Sequence, residues 1–330
     1  MGLSHHAILG SHPDVEVAAI CDPATYITST LKKHVTVEAF KDYRKMIDSA
    51  GLDCVFVATP SATHFDAASY ALDKGLHVFV EKPLCLDPAQ SKQLADLATA
   101  KKRANQVGYH NRFIGTFQES RRLVRAGALG DVYHITGTAF GQVVIRAKSG
   151  STWRSKKAEG GGCLHDYASH VIDLMNFIVG PPEKVVGAQL QSVFSKDVED
   201  AVYAQFRYKS GATGSLETNW SDDTFRKMST TIVVYGTKGK LVADRQECRV
   251  YLKSDAQFEN LTAGGWTTRY ITELQAPVNF YLRGEEYSAQ IDAFVAAAQR
   301  GSADHESSFA SAYETDRVVD EILKTAEVSS

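Results

Sequence analysis

Asp166 and His170, four residues apart and preceded by Gly160-Gly161-Gly162, are the residues of this sequence best suited to move a proton. Three successive glycines neither favour a helix nor fill a core, so they mark backbone that bends sharply or lets something approach closely. From Leu164 onward Val171, Ile172, Leu174, Met175 and Ile178 recur at helical spacing, and Gly180-Pro181-Pro182 stops that helix. A separation of four puts Asp166 and His170 on one face of its first turn. There the helix dipole and the unpaired N–H groups favour a carboxylate. A carboxylate beside an imidazole at the mouth of a helix is proton-transfer machinery. The same two residues would equally serve as a capping Asp and a surface His, and the stretch alone leaves these readings level. Cys163, Asp166 and His170 also fall at i, i+3 and i+7, a spacing that could bind zinc, although no second ligand cluster with metal spacing accompanies it.

Such residues need elements to position them. At 330 residues the chain is long enough for two domains. A composition 44% apolar and 23% charged, with net charge -3, is that of a globular protein, and it argues against nucleic acid or a membrane surface as partner. No apolar run approaches the ~20 residues that span a bilayer. The beginning of the chain shows no basic-then-apolar export signal. Cys21, Cys54, Cys85, Cys163 and Cys248 are scattered and lack C-x-x-C spacing, so they read as reduced thiols of a cytoplasmic protein.

The first third alternates strands and helices. Residues 16–22, 54–58, 77–81 and 105–109 are nearly continuous apolar runs, as in strands buried on both faces of a parallel sheet. Helical patterns lie between them over 43–50, 64–74 and 88–102, the last with Asp87-Pro88 as N-cap and first-turn proline. Ligands of such open α/β sheets bind beyond the carboxyl ends of the strands. Asp22, Thr59-Pro60 and Glu81-Lys82-Pro83 each follow a strand directly. An acid after the second strand of a nucleotide fold holds the adenosine ribose hydroxyls and repels a 2′-phosphate, so Asp22 favours NAD over NADP. A turn residue is the alternative for Asp22. The glycine fingerprint expected about 20 residues ahead of that acid is represented only by Gly2, at the place of its third glycine. From this the parallel sheet is expected to lack its first, central strand, and the chain beginning at Met1 to bind dinucleotide poorly.

Thr59-Pro60-Ser61-x-x-His64, the run from Gly75 to Leu84 with Glu81-Lys82-Pro83, Trp153-Arg154 and the block from Gly160 to Asp173 together resemble the Gfo/Idh/MocA oxidoreductases over essentially the whole chain. The resemblance implies an α/β chain with two domains. A Rossmann dinucleotide-binding domain would occupy 1–113, and 114–330 would form a substrate-binding and oligomerisation domain on a large open, mainly antiparallel sheet. Strand-like segments at 132–141, 184–192, 201–208, 212–220, 229–235, 240–244 and 249–253 suit that sheet, and 287–300 and 312–324 read as amphipathic helices.

The resemblance further implies an NAD-dependent dehydrogenase, with NADP as the alternative cofactor. It would exchange a hydride with a secondary hydroxyl or ketone of a sugar, nucleotide sugar or cyclitol, and work as a homodimer or homotetramer. Lys82, Asp166 and His170 would be catalytic. Gly2, Asp22, Thr59, Pro60, His64, Glu81, Lys82, Trp153 and Arg154 would bind the cofactor, and Lys82, Asn111, Asp166 and His170 the substrate. His170 is the candidate base and Lys82 the cation that meets negative charge on the substrate oxygen, with a desolvated Lys82 as the alternative proton carrier and Asp166 orienting the hydroxyl or His170. His5 and His6 read as ordinary first-helix residues, and Asp173 as a helix stabiliser. No Arg cluster stands out to clamp an acidic substrate, though Arg112, Arg146 and Arg154 could each contribute, which favours a neutral sugar or inositol. Two rivals remain: a non-catalytic dinucleotide or sugar sensor on the same fold, and the zinc hydrolase built on Cys163, Asp166 and His170.

Overall fold

The structure is a computed structural model that describes residues 1–24, 37–145, 153–302 and 305–329. The chain folds as two compact units, one of residues 1–108 with 277–313, the other of residues 109–276 with 314–330.

The first unit has short parallel strands with helices between them. Strands β1 (Ala19–Cys21) and β2 (Glu38–Phe40) pair in parallel, and β3 (Cys54–Val57), β4 (His77–Val80) and β5 (Asn105–Val107) form a second parallel sheet. Among the described residues no strand hydrogen-bonds β1 to β3. Helix α1 spans Gly2–Leu9, α2 Tyr43–Ser49, α3 His64–Asp73 and α4 Pro88–Lys101. Asp42 and Asp87 cap α2 and α4 by accepting the amides of Arg44 and Ala89, each satisfying a donor the helix cannot.

Val78, Phe79 and Val80 are wholly buried, so β4 needs cover on both faces. One cover comes from late in the chain. Helix α8 (Glu285–Arg300) stacks Phe294 edge-on to Phe56 and Phe79, with ring centroids 5.2 and 5.9 Å apart. Its Ile291 and Val295 pack with Ile8 and Leu9 of α1. The expected division after residue 113 takes no account of this return of 277–313 to the first unit. A helix that reads simply as amphipathic carries no mark of which sheet it will cover.

In the second unit the sheet order is β13-β12-β11-β10-β6-β9-β8-β7, every pairing antiparallel except β6 with β9. The strands are β6 (Val132–Phe140), β7 (Lys184–Gln191), β8 (Ala201–Arg207), β9 (Thr213–Asn219), β10 (Ser229–Gly236), β11 (Gly239–Ala243), β12 (Glu247–Leu252) and β13 (Trp266–Tyr270). Burial alternates along β8, β9 and β10, so one face is packed and the other wet. The buried face carries α6 (Ser169–Val179), with α5 (Gly115–Arg125), the short α7 (Ile271–Leu274) and the later part of α9 (Phe309–Ser329) beside it. Helix α6 lies close because β6 has glycine beneath it. A Cβ at Gly137 would collide with Val171 Cγ1 and stand 2.7 Å from Met175 Sδ, and one at Gly141 would strike the Tyr167 ring.

Candidate active site

In the first unit the sequence-predicted residues gather at the carboxyl ends of the parallel strands. Asp22 directly follows β1, and its Oδ1 accepts the Ala24 amide at 2.8 Å, so the acid is an Asx turn as well as a candidate ribose ligand. Gly2 opens α1, where a Cβ would lie 3.8 Å from Ala58 Cβ, just past β3. Pro60 begins the short turn 61–63, and the Thr63 hydroxyl lies 2.9 Å from the Pro60 carbonyl, to which it donates, and 2.8 Å from the Thr59 hydroxyl. His64 is wholly buried, with Nδ1 2.9 Å from the Pro83 carbonyl and Nε2 2.9 Å from the Thr59 carbonyl. Both ring nitrogens therefore face backbone carbonyls, which places His64 between two loops.

Glu81 and Lys82 follow β4, and the Lys82–Pro83 peptide is cis. The Glu81 carboxylate accepts from His5 Nε2 at 2.5 Å and from the Lys82 amide at 3.3 Å. His5 is thus no ordinary first-helix residue, as its type alone suggested. Only 2% exposed, it turns inward onto an acid 76 positions away.

In the second unit Gly160 and Gly162 adopt left-handed backbone, with φ of 79° and 106°. A Cβ at Gly162 would collide with the Glu199 carboxylate. Glu199 in turn accepts the Leu164 amide at 2.8 Å and so caps the helical run that follows; burial raises its carboxyl above the usual range. That run does not begin as an α-helix. Residues Leu164–Ala168 form a π-turn that passes into α6 at Ser169, a local widening often found at functional sites.

The π-turn carries Asp166, whose Oδ2 accepts from Arg154 Nε at 2.9 Å. His170, on the first turn of α6, is 6% exposed. The surface-His reading of this residue therefore fails, because its ring is walled by His110 and Tyr109, with centroids 5.0 and 5.9 Å away and near-perpendicular planes. Asn111 is buried beside them in sequence, and among the described residues its Nδ2 has no hydrogen-bond partner; the buried Tyr109 hydroxyl has none either. Burial pushes the Tyr109 phenol well above its usual range.

One buried pair organises this region. Arg112 Nε and Nη2 donate to Asp173 Oδ2 and Oδ1 at 2.7 and 2.6 Å, with both residues nearly inaccessible. Burial pushes the Asp173 carboxyl up, while the guanidinium and the Thr315 hydroxyl pull it back. The Arg112 guanidinium also lies 5.3 Å from the Phe177 ring centroid. Asp173 thus fixes the start of the second unit onto α6, a role beyond stabilising its own helix.

Two arginines that could have clamped an acidic substrate are paired within the protein, Arg112 to Asp173 and Arg154 to Asp166. Arg146 and the Trp153 side chain lie outside the described residues. Cys163 is buried in the core, its Sγ 3.5 Å from Thr218 Oγ1, and burial pushes its thiol far above the usual range. Among the described residues no three His, Cys, Asp or Glu side chains cluster as metal ligands. Sequence reading missed His5, Glu199 and the Arg112–Asp173 pair. The only local signal was that each is a polar residue within or beside an apolar stretch.

Residues 1–109 match the family model described as "Oxidoreductase family, NAD-binding Rossmann fold", and residues 117–242 match the "GFO/IDH/MocA C-terminal domain". The chain belongs to the GFO/IDH/MocA oxidoreductase family. Relatives in that family are distant. Levoglucosan dehydrogenase of Pseudarthrobacter phenanthrenivorans is 28% identical over 241 residues, 65% of this chain and 62% of the relative. The scyllo-inositol 2-dehydrogenase (NAD(+)) of Bacillus subtilis is 24% identical over 246 residues, 72% of this chain and 69% of the relative. The chain thus spans somewhat under two thirds of the length of levoglucosan dehydrogenase. A solved levoglucosan dehydrogenase in complex with NADH and levoglucosan superposes with TM-score 0.86 at 25% identity, covering 99% of this chain and 93% of that one. All the strand-end residues of the first unit fall inside the NAD-binding match, and Asp166 and His170 inside the C-terminal one.

Proposed function

We propose that this chain is an NAD-dependent oxidoreductase that moves a hydride between the nicotinamide and a secondary hydroxyl or ketone of a neutral sugar or cyclitol. The observation that carries the reading is the buried His170, walled by His110 and Tyr109, one helical turn from an Asp166 held by Arg154. Oxidation of a carbinol removes a hydride from carbon and a proton from oxygen. His170 takes that proton on an imidazole nitrogen and returns it in reduction, the task imidazole performs near neutral pH. Asp166 orients the hydroxyl or the imidazole. The Lys82 ammonium stabilises the negative charge that grows on the substrate oxygen. Asn111 Nδ2, without a partner among the described residues, is a donor for a substrate hydroxyl, since a buried donor left without partner costs about 1–3 kcal/mol.

The first unit suits the dinucleotide. The start of α1 carries no acidic side chain, so its backbone amides remain attractive to phosphate. Asp22, Thr59 and Pro60, Glu81 and Lys82 occupy strand ends, with Asp22 on the ribose hydroxyls favouring NAD over NADP. When bound, the nicotinamide supplies the acceptor or donor of the hydride. The second unit serves as substrate domain, and the wet face of its sheet, which carries Thr136, Tyr203, Gln205, Ser215 and Glu217, is the surface for self-association into a dimer or tetramer. Five free thiols support a cytoplasmic reading. Among the described residues no helix is long and apolar enough to cross a membrane.

A panel of sugars and cyclitols, including levoglucosan and scyllo-inositol, assayed with NAD and with NADP tests the reading. Reduction of NAD by a neutral polyol, with NAD supplied in large excess to offset the weak dinucleotide binding expected above, is the expected result. Reduction of NADP alone would overturn the role given to Asp22. Dinucleotide binding without turnover across the whole panel would favour the sensor instead.

A further inference from the structure

We propose that Lys82 is held in position by two buried histidines, His5 and His64, which clamp the Glu81-Lys82-Pro83 segment from its two ends. This rests on the role given to Lys82 above. The regular ladder stops at the amide of Glu81, which donates to the Val57 carbonyl at 2.9 Å. Among the described residues the β3–β4 and β4–β5 registers both end at Val80, two positions before the lysine.

At the first end, His5 Nε2 donates to Glu81 Oε1 at 2.5 Å, while Glu81 Oε2 accepts the Lys82 amide at 3.3 Å. The imidazole cannot wander. It is 2% exposed, its ring centroid lies 5.2 Å from that of Phe79 and 6.1 Å from that of Phe56, and its Nδ1 has no partner among the described residues. Gly108, just after β5, closes the other side, since a Cβ there would stand 3.1 Å from the Glu81 carboxylate. At the second end, His64 has Nδ1 2.9 Å from the Pro83 carbonyl and Nε2 2.9 Å from the Thr59 carbonyl; with one ring N–H it donates to one of these and packs against the other, so that it sits between the turn after β4 and the turn after β3.

The physical need is clear. A lysine delivers its charge from the end of four rotatable bonds, so a functional position within about 0.5 Å demands a fixed base. His5 and His64 are positioning residues: each acts on the backbone or on Glu81 and touches no reacting atom.

Amide hydrogen exchange of the peptide spanning 78–85 tests the clamp without any substrate. His5→Leu is expected to speed exchange at 81–84 by about 10-fold or more, leaving the α4 peptide at the wild-type rate. His5→Gln keeps an N–H donor near the place of Nε2 and is expected to restore protection. With the polyol found by the panel, kcat of His5→Leu should fall about 10–100-fold and KM change little, since small misplacement of a reacting group costs rate. Unchanged exchange in a folded His5→Leu overturns the proposal. Should His5→Leu fail to fold, His64→Leu decides, because it leaves no N–H for either carbonyl; unchanged protection at 81–84 there is equally fatal. Lys82→Met separates the two ideas. If it retains full turnover, the chemistry assigned to Lys82 fails whatever the exchange data show; if it abolishes turnover while His5→Leu changes neither exchange nor kcat, the clamp alone fails.

Discussion

Around Lys82 the first unit relies on imidazole nitrogens set against a carboxylate and two backbone carbonyls, at the ends of strands three or four residues long. Around His170 the second unit relies on a buried, bidentate Arg112–Asp173 pair and on a helix pressed against a nine-residue strand. The first arrangement is a set of short ties that fix a turn and little else. The second couples one functional helix to the stability of a whole core, because an ion pair taken out of water is costly to break from either side. Damage near Lys82 should therefore appear in rate, and damage near His170 in rate and folding together.

The largest expected effect falls on chemistry in the second unit. His170→Ala should lower turnover by about 10²–10⁴-fold, measured with the panel's best substrate. A loss under about threefold would remove His170 from proton transfer and leave it a packing residue. Next comes the anchor. Asp173→Ala removes the carboxylate that both Arg112 bonds reach, and chemical denaturation should show a loss of about 3–5 kcal/mol. A loss below 1 kcal/mol would erase the contrast between the units. Gly137→Ala puts a methyl group where Val171 and Met175 already stand, and should cost about 1–3 kcal/mol through a shifted α6.

The smallest effect is a pH dependence. Burial works to raise the Asp200 carboxyl, but bonds from Ser195, Trp220 and Phe194 outweigh it and hold the group below its usual range. A carboxyl depressed in the folded state adds stability above its unfolded pKa, about 3.9, and loses it as pH falls through the folded value. Stability should therefore drop below about pH 4 by at most ~1.4 kcal/mol per pH unit from this group. Asp200→Asn, followed by urea titration at several pH values, should flatten that limb.

Legibility followed locality. Helix α4 was readable from its Asp87-Pro88 start, α2 from its apolar spacing, and strands β1, β3 and β4 from nearly continuous apolar runs. Three elements gave no such signal. Strand β2 has three residues, α5 has only Phe117, Leu123 and Val124 as aliphatic or aromatic marks, and β13 is a half-exposed edge. The π-turn was hidden because Asp166 and His170 share a face at a spacing of four in either kind of helix, and only the backbone bonds tell the two apart. Glu81 was visible as an acid after a strand; that His5 would hold it was not, because nothing between positions 5 and 81 records their contact.

By itself the sequence determined the class of each unit, the family, and the residue types available for proton and hydride chemistry, since these rest on patterns only a few residues long. Tertiary structure decided which polar groups are tied up and which present themselves. It sent α8 back to the parallel sheet, committed Arg112 to Asp173 and Arg154 to Asp166, turned Cys163 inward, and set two histidines against the segment that carries Lys82. Partnership of that kind depends on burial and distance between residues far apart in the chain, and no local spacing rule encodes either.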